Sequence, residues 1–574
     1  MRTTIKSLVL AFTLLLPLLT NAQVNYVLTT NASVITAYVT NSPNASGNIG
    51  IATNYNGYPV TSIGDEAFYY CYNLTSVTMS TNVISIGNSA FEGCTSLTNV
   101  TMGKNVTSIE DYAFLDCSSL IIITVPNNVT NIGDYAFGGC MSLTNIAVGA
   151  SNPDYSSANG VLFNKVQTTL IAFPGGIGGS YTIPNSVTNI GNDAFYSCSD
   201  LASVTIANSV TSIGEYAFYS CSSLTNITIP SSVTNIEGYV FGFCSSLTNM
   251  GVAASNPNYS SANGVLFNKA QTTLIAFPVG VGGSYTILNG VTSIADEAFF
   301  SCSGLTSITI SNSVTSIGGY VFDGCTSLTN IAVAASNPDY SSANGVLFNK
   351  AQTTLIAFPG GGGGSYTVPN SVTSIEEGAF ESCSGLTNVD TGNGVTNIGT
   401  NAFEFCTGLT SVTIGSSVTS IGYEAFYYCY SLTSVTIPSN VASIGDYAFY
   451  DCANLTNLTF LGNAPTLGGP SVFDSVSAAA TVYYYAGKSG WELTYGGLTT
   501  MELSAPPQLG SGVGIHTGNF GFTIIGVNNQ VITVEASTNL VNWQVIQTIT
   551  LFGTSTNVTD TQWKSYPRRF YRAY

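Results

Sequence analysis

Thiol chemistry is the first possibility this chain raises. Its 13 cysteines are Cys71, Cys94, Cys117, Cys140, Cys198, Cys221, Cys244, Cys302, Cys325, Cys383, Cys406, Cys429 and Cys452. Every gap between successive cysteines is 23 residues, or 58, which is 23 plus 35. Disulfides need convergent Cβ atoms and a particular S–S torsion. An odd number of thiols at one repeat position, with side chains parallel, does not supply that. A metal site is no better supported, because no Cys-x-x-Cys occurs and the single histidine, His516, stands far along the chain. The spacing is read instead as a ladder of buried free thiols acting as small apolar residues.

Other chemistry is thin. One histidine leaves no Ser-His-Asp or Cys-His set within the repeated region. The carboxylate pairs Asp65–Glu66 and Glu376–Glu377 are neighbours in sequence, so they do not define the facing pair that glycoside hydrolysis needs. The Gly360–Gly364 run lacks the Lys-Ser/Thr ending of a phosphate loop and does not lead from a strand into a helix. No enzyme activity, metal or cofactor is expected.

The elements that carry the cysteines repeat with them. Each unit reads Leu-x-x-Ile-x-Ile-Pro-x-x-Val-x-x-Ile, then a small residue, Phe-x-x-Cys, then Leu again, as in Ser222–Met250. A period of 20–29 residues with this apolar core points to a leucine-rich-repeat solenoid. In LTSVTIP, Leu432–Pro438, Val435 and Ile437 point inward while Ser434 and Thr436 point outward onto a concave sheet. Gly445 is expected to permit an unusual backbone angle. Asp446–Cys452 should then form a short helical turn on the convex side, with Ala448, Phe449 and Cys452 inside. The expected fold is a β-rich α/β solenoid of about 16 coils with a C-terminal all-β domain.

The outward ladder comprises Thr78, Thr101, Thr124, Thr182, Thr205, Thr228, Thr286, Thr309, Thr367, Thr413, Thr436 and Thr459, interrupted by Ala147, Gly251, Ala332 and Asp390. Strands stack about 4.8 Å apart, so the sheet would be on the order of 75 Å long. Its surface is regular, polar and nearly uncharged. It suits a protein or a polysaccharide, to which hydroxyls and amides offer hydrogen bonds. Two further readings are a spacer displaying the C-terminal domain, and ice or crystalline-surface binding through the Thr ladder. Thr is also simply a good exposed strand former.

An acid precedes the Ala/Val-Phe pair in nine of the 13 units, including Asp65, Glu66, Asp111, Asp134, Glu215, Asp296, Glu377, Glu424 and Asp446. These read as helix-start acids that favour the dipole and keep the chain soluble, with a calcium-binding stripe as the alternative. Charged residues are only 7% of the chain, and the net charge is −18. The repeated region holds all of that imbalance, with 24 acids against Lys104, Lys165, Lys269 and Lys350 between Val60 and Thr459. Nucleic acid and anionic membrane need clustered Lys or Arg, and are excluded as partners.

The chain divides as follows. Residues 1–22 read as a secretory signal: Arg2 and Lys6, the apolar run SLVLAFTLLLPLL, then Thr20-Asn21-Ala22. That run falls short of the roughly 20 residues a span needs, so no transmembrane segment is expected after its removal. Residues 23–59 read as an N-terminal β cap and 60–460 as the solenoid. Residues 461–503 form a closing cap, 504–513 a Pro/Gly/Ser linker, and 514–574 a small all-β domain. Three insertions, at about 148–183, 252–287 and 333–368, share SNPDYSSANGVLFNKVQTTLIAFPGG with small changes. Their VLFN and TLIAFP runs predict projecting β-hairpins, with Lys165, Lys269 and Lys350 at the tips as candidate recognition points.

VTSIGEYAFYSCSSLTNITIP, Val210–Pro230, resembles the BspA-like leucine-rich repeats of bacterial and protist surface proteins. The hairpin insertions and TVYYYAGKSGWELTYGG also resemble segments of that family. The stretch ending RFYRAY is similar to terminal β-domains of secreted proteins in the Verrucomicrobia–Planctomycetes group. Departures are Val240 and Val321 in place of the Ala before Phe, and Glu237 and Glu376 in place of the Gly after Ile. The resemblance implies a secreted or surface-displayed, non-enzymatic adhesion protein with an extracellular protein or polysaccharide partner.

Overall fold

Alternation of apolar and polar residues sets the long strands. In Ser434–Ile437, Val435 and Ile437 are buried while Ser434 and Thr436 are exposed. The computed structural model describes residues 24–31, 34–503, 508–509, 514–516, 519–525, 531–538, 544–551, 555–565 and 568–573. The segment read as an export signal lies outside them. The chain splits into two compact units, Met1–Ala270 with Pro278–Gly280, and Gln271–Phe277 with Val281–Tyr574.

In the first unit, parallel long strands run from Gly47–Gly50 through Leu74–Thr78, Asn99–Thr101 and Ile122–Val125 to Asn145–Val148. A second ladder of two-residue strands lines the next side of each coil, with Ser62, Ser85, Ser108 and Asn131 in register. In the second unit, parallel long strands run without interruption from Gly364–Thr367 to Leu498–Leu503. Among the described residues the solenoid has about 19 turns. Sixteen are the expected coils. The others extend the same sheets: Gly47–Gly50 ahead of the array, and Thr481–Tyr485 and Leu498–Leu503 after it.

The third side of each coil differs from expectation. The Ala-Phe-x-x-Cys segments are successions of turns, not helix. Glu66 and Tyr70 sit in the left-handed region at φ 53° and 52°, as do Glu424 and Tyr428. Each such residue reverses the chain, which sends alternate N–H groups out of the coil. Those groups bond the neighbouring coil: Phe68 N donates to Ala90 O at 2.8 Å, and Phe403 N to Ala425 O at 2.8 Å. A helix would consume these donors internally; here they form a third inter-coil ladder.

Gly445 is likewise explained differently. Its φ is not positive, but a Cβ there would lie 2.4 Å from the backbone N of Tyr423. The coils approach too closely at that corner for any side chain. The acids before Ala-Phe also change role, since there is no helix dipole to meet. Asp65 Oδ1 accepts the Asn88 N–H at 2.8 Å, Asp111 Oδ1 that of Asp134 at 2.9 Å, and Asp296 Oδ1 that of Gly319 at 2.9 Å. Each of these three aspartates staples its coil to the next.

Inside, identical side chains stack. Phe91 and Phe114 are parallel within 1° at 5.2 Å, as are Phe403 and Phe426 at 5.0 Å. All 13 cysteines are free and buried. Most thiols donate to the Phe carbonyl of the preceding coil, as Cys94 does to Phe68 O at 3.1 Å and Cys429 to Phe403 O at 3.2 Å. Burial pushes the Cys94, Cys221 and Cys429 thiols well up, away from the reactive thiolate. Native protein at pH 8 should therefore take up essentially no iodoacetamide within an hour, while denatured protein takes up 13 equivalents by mass. Rapid native labelling would contradict the ladder.

In the C-terminal region, Asn519–Ile525 pairs antiparallel with Ser555–Asp560, and Val531–Ser537 with both Gln544–Thr550 and Phe570–Ala573. Phe522, Ile524, Ile532, Val534, Leu551 and Val558 make its core. Gln508–Leu509, read as linker, instead pairs with Ile524–Ile525, giving the end of that long strand a partner. The remainder of 504–513 lies outside the described residues.

Candidate functional site

Two regions merit attention: the long-strand face and the three insertions. On the face, the Thr ladder is exposed except at Thr309 and Thr459, which are half-buried. Register is kept coil to coil. In the first unit Thr78 pairs with Thr101, Thr124 with Ala147, Thr182 with Thr205, and Thr228 with Gly251. In the second, Thr286 pairs with Thr309, and Thr367, Asp390, Thr413, Thr436 and Thr459 follow one another without a slip. Beside it runs a second polar row that the Thr count leaves out. Asn388 Nδ2 donates to Ser365 Oγ at 3.1 Å, Ser411 Oγ to Asn388 Oδ1 at 2.5 Å, and Ser203 Oγ to Ser180 Oγ at 2.8 Å. The alternation of each strand, extended by two residues, contains this signal. The face thus offers paired hydroxyl and amide groups at most coils, with Asp390 the one charge in the Thr row.

The insertions are not projecting hairpins. Each folds as an antiparallel meander: Tyr155–Ala158, Val161–Asn164 and Thr169–Ala172 in the first, Tyr340–Ala343, Val346–Asn349 and Thr354–Ala357 in the third. The VLF run is apolar throughout because it enters the core: Val161, Leu162 and Phe163 are all buried. The lysines are at turns, but their ammonium groups fold back. Lys165 Nζ donates to Asn152 O, Lys269 Nζ to Ala254 O at 3.1 Å, and Lys350 Nζ to Asn337 O at 2.6 Å. They close the insertion onto itself.

The residue that seats each insertion is a buried asparagine that sequence reading passes over. Asn152, Asn256 and Asn337 are at most 1% exposed. Asn152 Nδ2 donates to Pro126 O and Val129 O, and its Oδ1 accepts from Asp154 N and Tyr155 N. The following tyrosine hydroxyl oxygen accepts the N–H of a short strand in the preceding coil, Tyr155 that of Ile132 and Tyr340 that of Ile317.

At the first and third insertions, the turn side opens a cavity between the parted coils. The one at the third insertion is about 490 Å³ and is lined by Tyr320, Asp323, Phe358, Glu376, Glu377 and Glu381 among others. Its counterpart at the first is about 210 Å³, with Asp134, Asp193 and Tyr196. In the larger, Tyr320 donates to Glu377 and Ser382 Oγ to Asp323 Oδ1 at 2.6 Å. Glu381 Oε2 is buried without a hydrogen-bond partner. Burial, with Asp323 and Glu404 nearby, pushes the Glu381 carboxyl up to about 10; burial raises Glu404 and Asp193 to about 7. Among the described residues no three His, Cys, Asp or Glu side chains are grouped to hold a metal ion. No described helix is long and apolar enough to cross a membrane.

The chain is similar to a leucine rich cell surface protein of Faecalibacterium prausnitzii A2-165, at 29% identity over 68% of this chain and 93% of that one, TM-score 0.36. It is similar to a leucine-rich repeat protein of Bacteroides ovatus ATCC 8483, at 23% identity over 84% and 98%, TM-score 0.27. It is also similar to the pneumococcal vaccine antigen PcpA, at 17% identity over 81% and 94%, TM-score 0.26. No curated protein matches. The BspA type leucine rich repeat region, in six copies, matches residues 61–178, 172–281, 283–361 and 356–478. With the match spanning well over half of its length, the chain belongs to the BspA-type leucine-rich repeat family.

Proposed function

We propose that this is an exported, surface-associated binding protein that engages a protein or polysaccharide through its long-strand face. The observation that carries the reading is the in-register run of exposed hydroxyls and amides, repeated in most coils, as in Thr413, Thr436 and their Ser and Asn neighbours. A hydroxyl-rich face with almost no charge binds by many weak, aligned hydrogen bonds rather than by one deep pocket. Family membership supports an adhesive role.

The test uses immobilised collagen, fibronectin and a panel of plant and microbial polysaccharides. Combined replacement Thr78→Arg, Thr205→Arg and Thr413→Arg should weaken binding to at least one of these ligands by at least tenfold, about 1.4 kcal/mol. Its thermal midpoint should change little, because all three positions face solvent. Undiminished binding in a folded triple variant would leave the array as a spacer.

A further inference from the structure

One motif occurs twice with the same geometry, once in each unit. Glu66-Ala-Phe-Tyr69-Tyr70-Cys-Tyr72 and Glu424-Ala-Phe-Tyr427-Tyr428-Cys-Tyr430 lie on the turn side, away from the Thr face. The first two tyrosines meet edge to face at 4.3 Å in both copies. The second and third are 5.6 Å apart in one and 5.4 Å in the other. Tyr69, Tyr70 and Tyr72 are 40–54% exposed. In the second unit the patch widens: Phe405 stacks on Tyr428 at 5.1 Å and Tyr450 on Tyr427 at 5.0 Å, with Phe405 and Tyr430 each 39% exposed.

We propose that each tyrosine patch is a docking platform for an uncharged polysaccharide. A sugar ring has an apolar C–H face and a rim of hydroxyls. Exposed aromatic rings cover the first, and phenols with nearby carboxylates bond the second. Charge selects among glycans. Burial pushes the phenols up, and the carboxylates of Glu66, Glu92 and Asp116 at the first patch and of Glu424 and Asp451 at the second add to it. The four lysines between Val60 and Thr459 all lie outside the Ala/Val-Phe-x-x-Cys segments. Sulfated and uronic-acid polymers are repelled; neutral ones are not. Two copies of the platform suit a long polymer, which gains by engaging both.

Native-gel retardation of the full chain by hydroxyethyl cellulose, xyloglucan, galactomannan and glycogen tests this directly. At least one should retard the wild type. The combined variant Tyr70→Ala, Tyr72→Ala, Tyr428→Ala and Tyr430→Ala should lose at least tenfold in affinity for it. Tyr72→Phe with Tyr430→Phe, which keeps the rings, should lose only a few-fold. The Thr78, Thr205 and Thr413 replacements should leave this retardation unchanged, so the two surfaces fail or succeed separately. Retardation by none of the neutral polymers, binding only to heparin or to a polycationic peptide, or full binding by the quadruple variant would overturn the proposal. Should the quadruple variant not fold, Tyr72→Ala alone, at the most exposed ring, carries the same test.

Discussion

Asn337→Ala is expected to destabilise the third insertion by about 4 kcal/mol. Its amide, 1% exposed, makes four hydrogen bonds: Nδ2 to Ser311 O and Val314 O, at 2.9 and 2.8 Å, and Oδ1 from Asp339 N and Tyr340 N, at 2.9 and 2.8 Å. Alanine leaves two carbonyls and two N–H groups dry and unpartnered. Each such group costs about 1–3 kcal/mol, and partial relaxation lowers the total. Asn337→Asp should be worse at pH 7 than at pH 4, because a carboxylate would face those two carbonyls. In a repeat array the damage should stay local. Amide exchange should quicken in Tyr340–Ala343 and Val346–Asn349, and hardly change in Ser434–Ile437. A loss below about 1 kcal/mol, or uniform quickening, would contradict the assigned role.

The second large effect concerns pH. A carboxyl whose pKa rises on folding binds more protons in the native than in the unfolded chain between its two values. Stability therefore falls as pH climbs through that window. For Glu381 the window runs from the ordinary 4.5 to about 10, and for Glu404 from 4.5 to about 7. For Asp193, in the other unit, it runs from 3.8 to about 7. The wild type should thus be more stable near pH 5 than near pH 8. Glu381→Gln keeps the shape and removes the titration. It should match the wild type near pH 4.5 and exceed it by about 2 kcal/mol at pH 8, since a tenfold change in proton affinity is worth about 1.4 kcal/mol and relaxation recovers part. Denaturant titrations across pH 4.5–8 measure this; parallel curves for the two proteins would refute it.

Much of the architecture is legible in residue spacing. The cysteine interval gives the coil, the alternation in strands such as Ser434–Ile437 gives the outward Thr row, and the 35-residue excess locates each insertion. What spacing hides is conformation. Nothing in Glu66 or Tyr70 announces a left-handed residue, so helix is the natural expectation for turns whose N–H groups in fact bond the next coil. VLFN reads as an exposed hairpin because its strands are short and its turn polar, yet Val161–Phe163 fill the core. The cavities do leave a trace. A 58-residue cysteine gap implies that residues about 58 apart face each other across the parted coils. Tyr135 and Asp193 do so, as do Asp323 and Ser382. Asn337 leaves no such trace, since its polarity suggests a surface turn and only the fold shows the four groups it satisfies.

The central claim is that the long-strand face binds a partner. The most direct measurement is solid-phase binding of the purified chain to the collagen, fibronectin and polysaccharide panel, with the Thr78→Arg, Thr205→Arg and Thr413→Arg variant alongside. The account predicts saturable wild-type binding to at least one panel member and at least tenfold weaker binding by the folded variant. Equal binding by both to every panel member, or no saturable binding by the wild type, would contradict it.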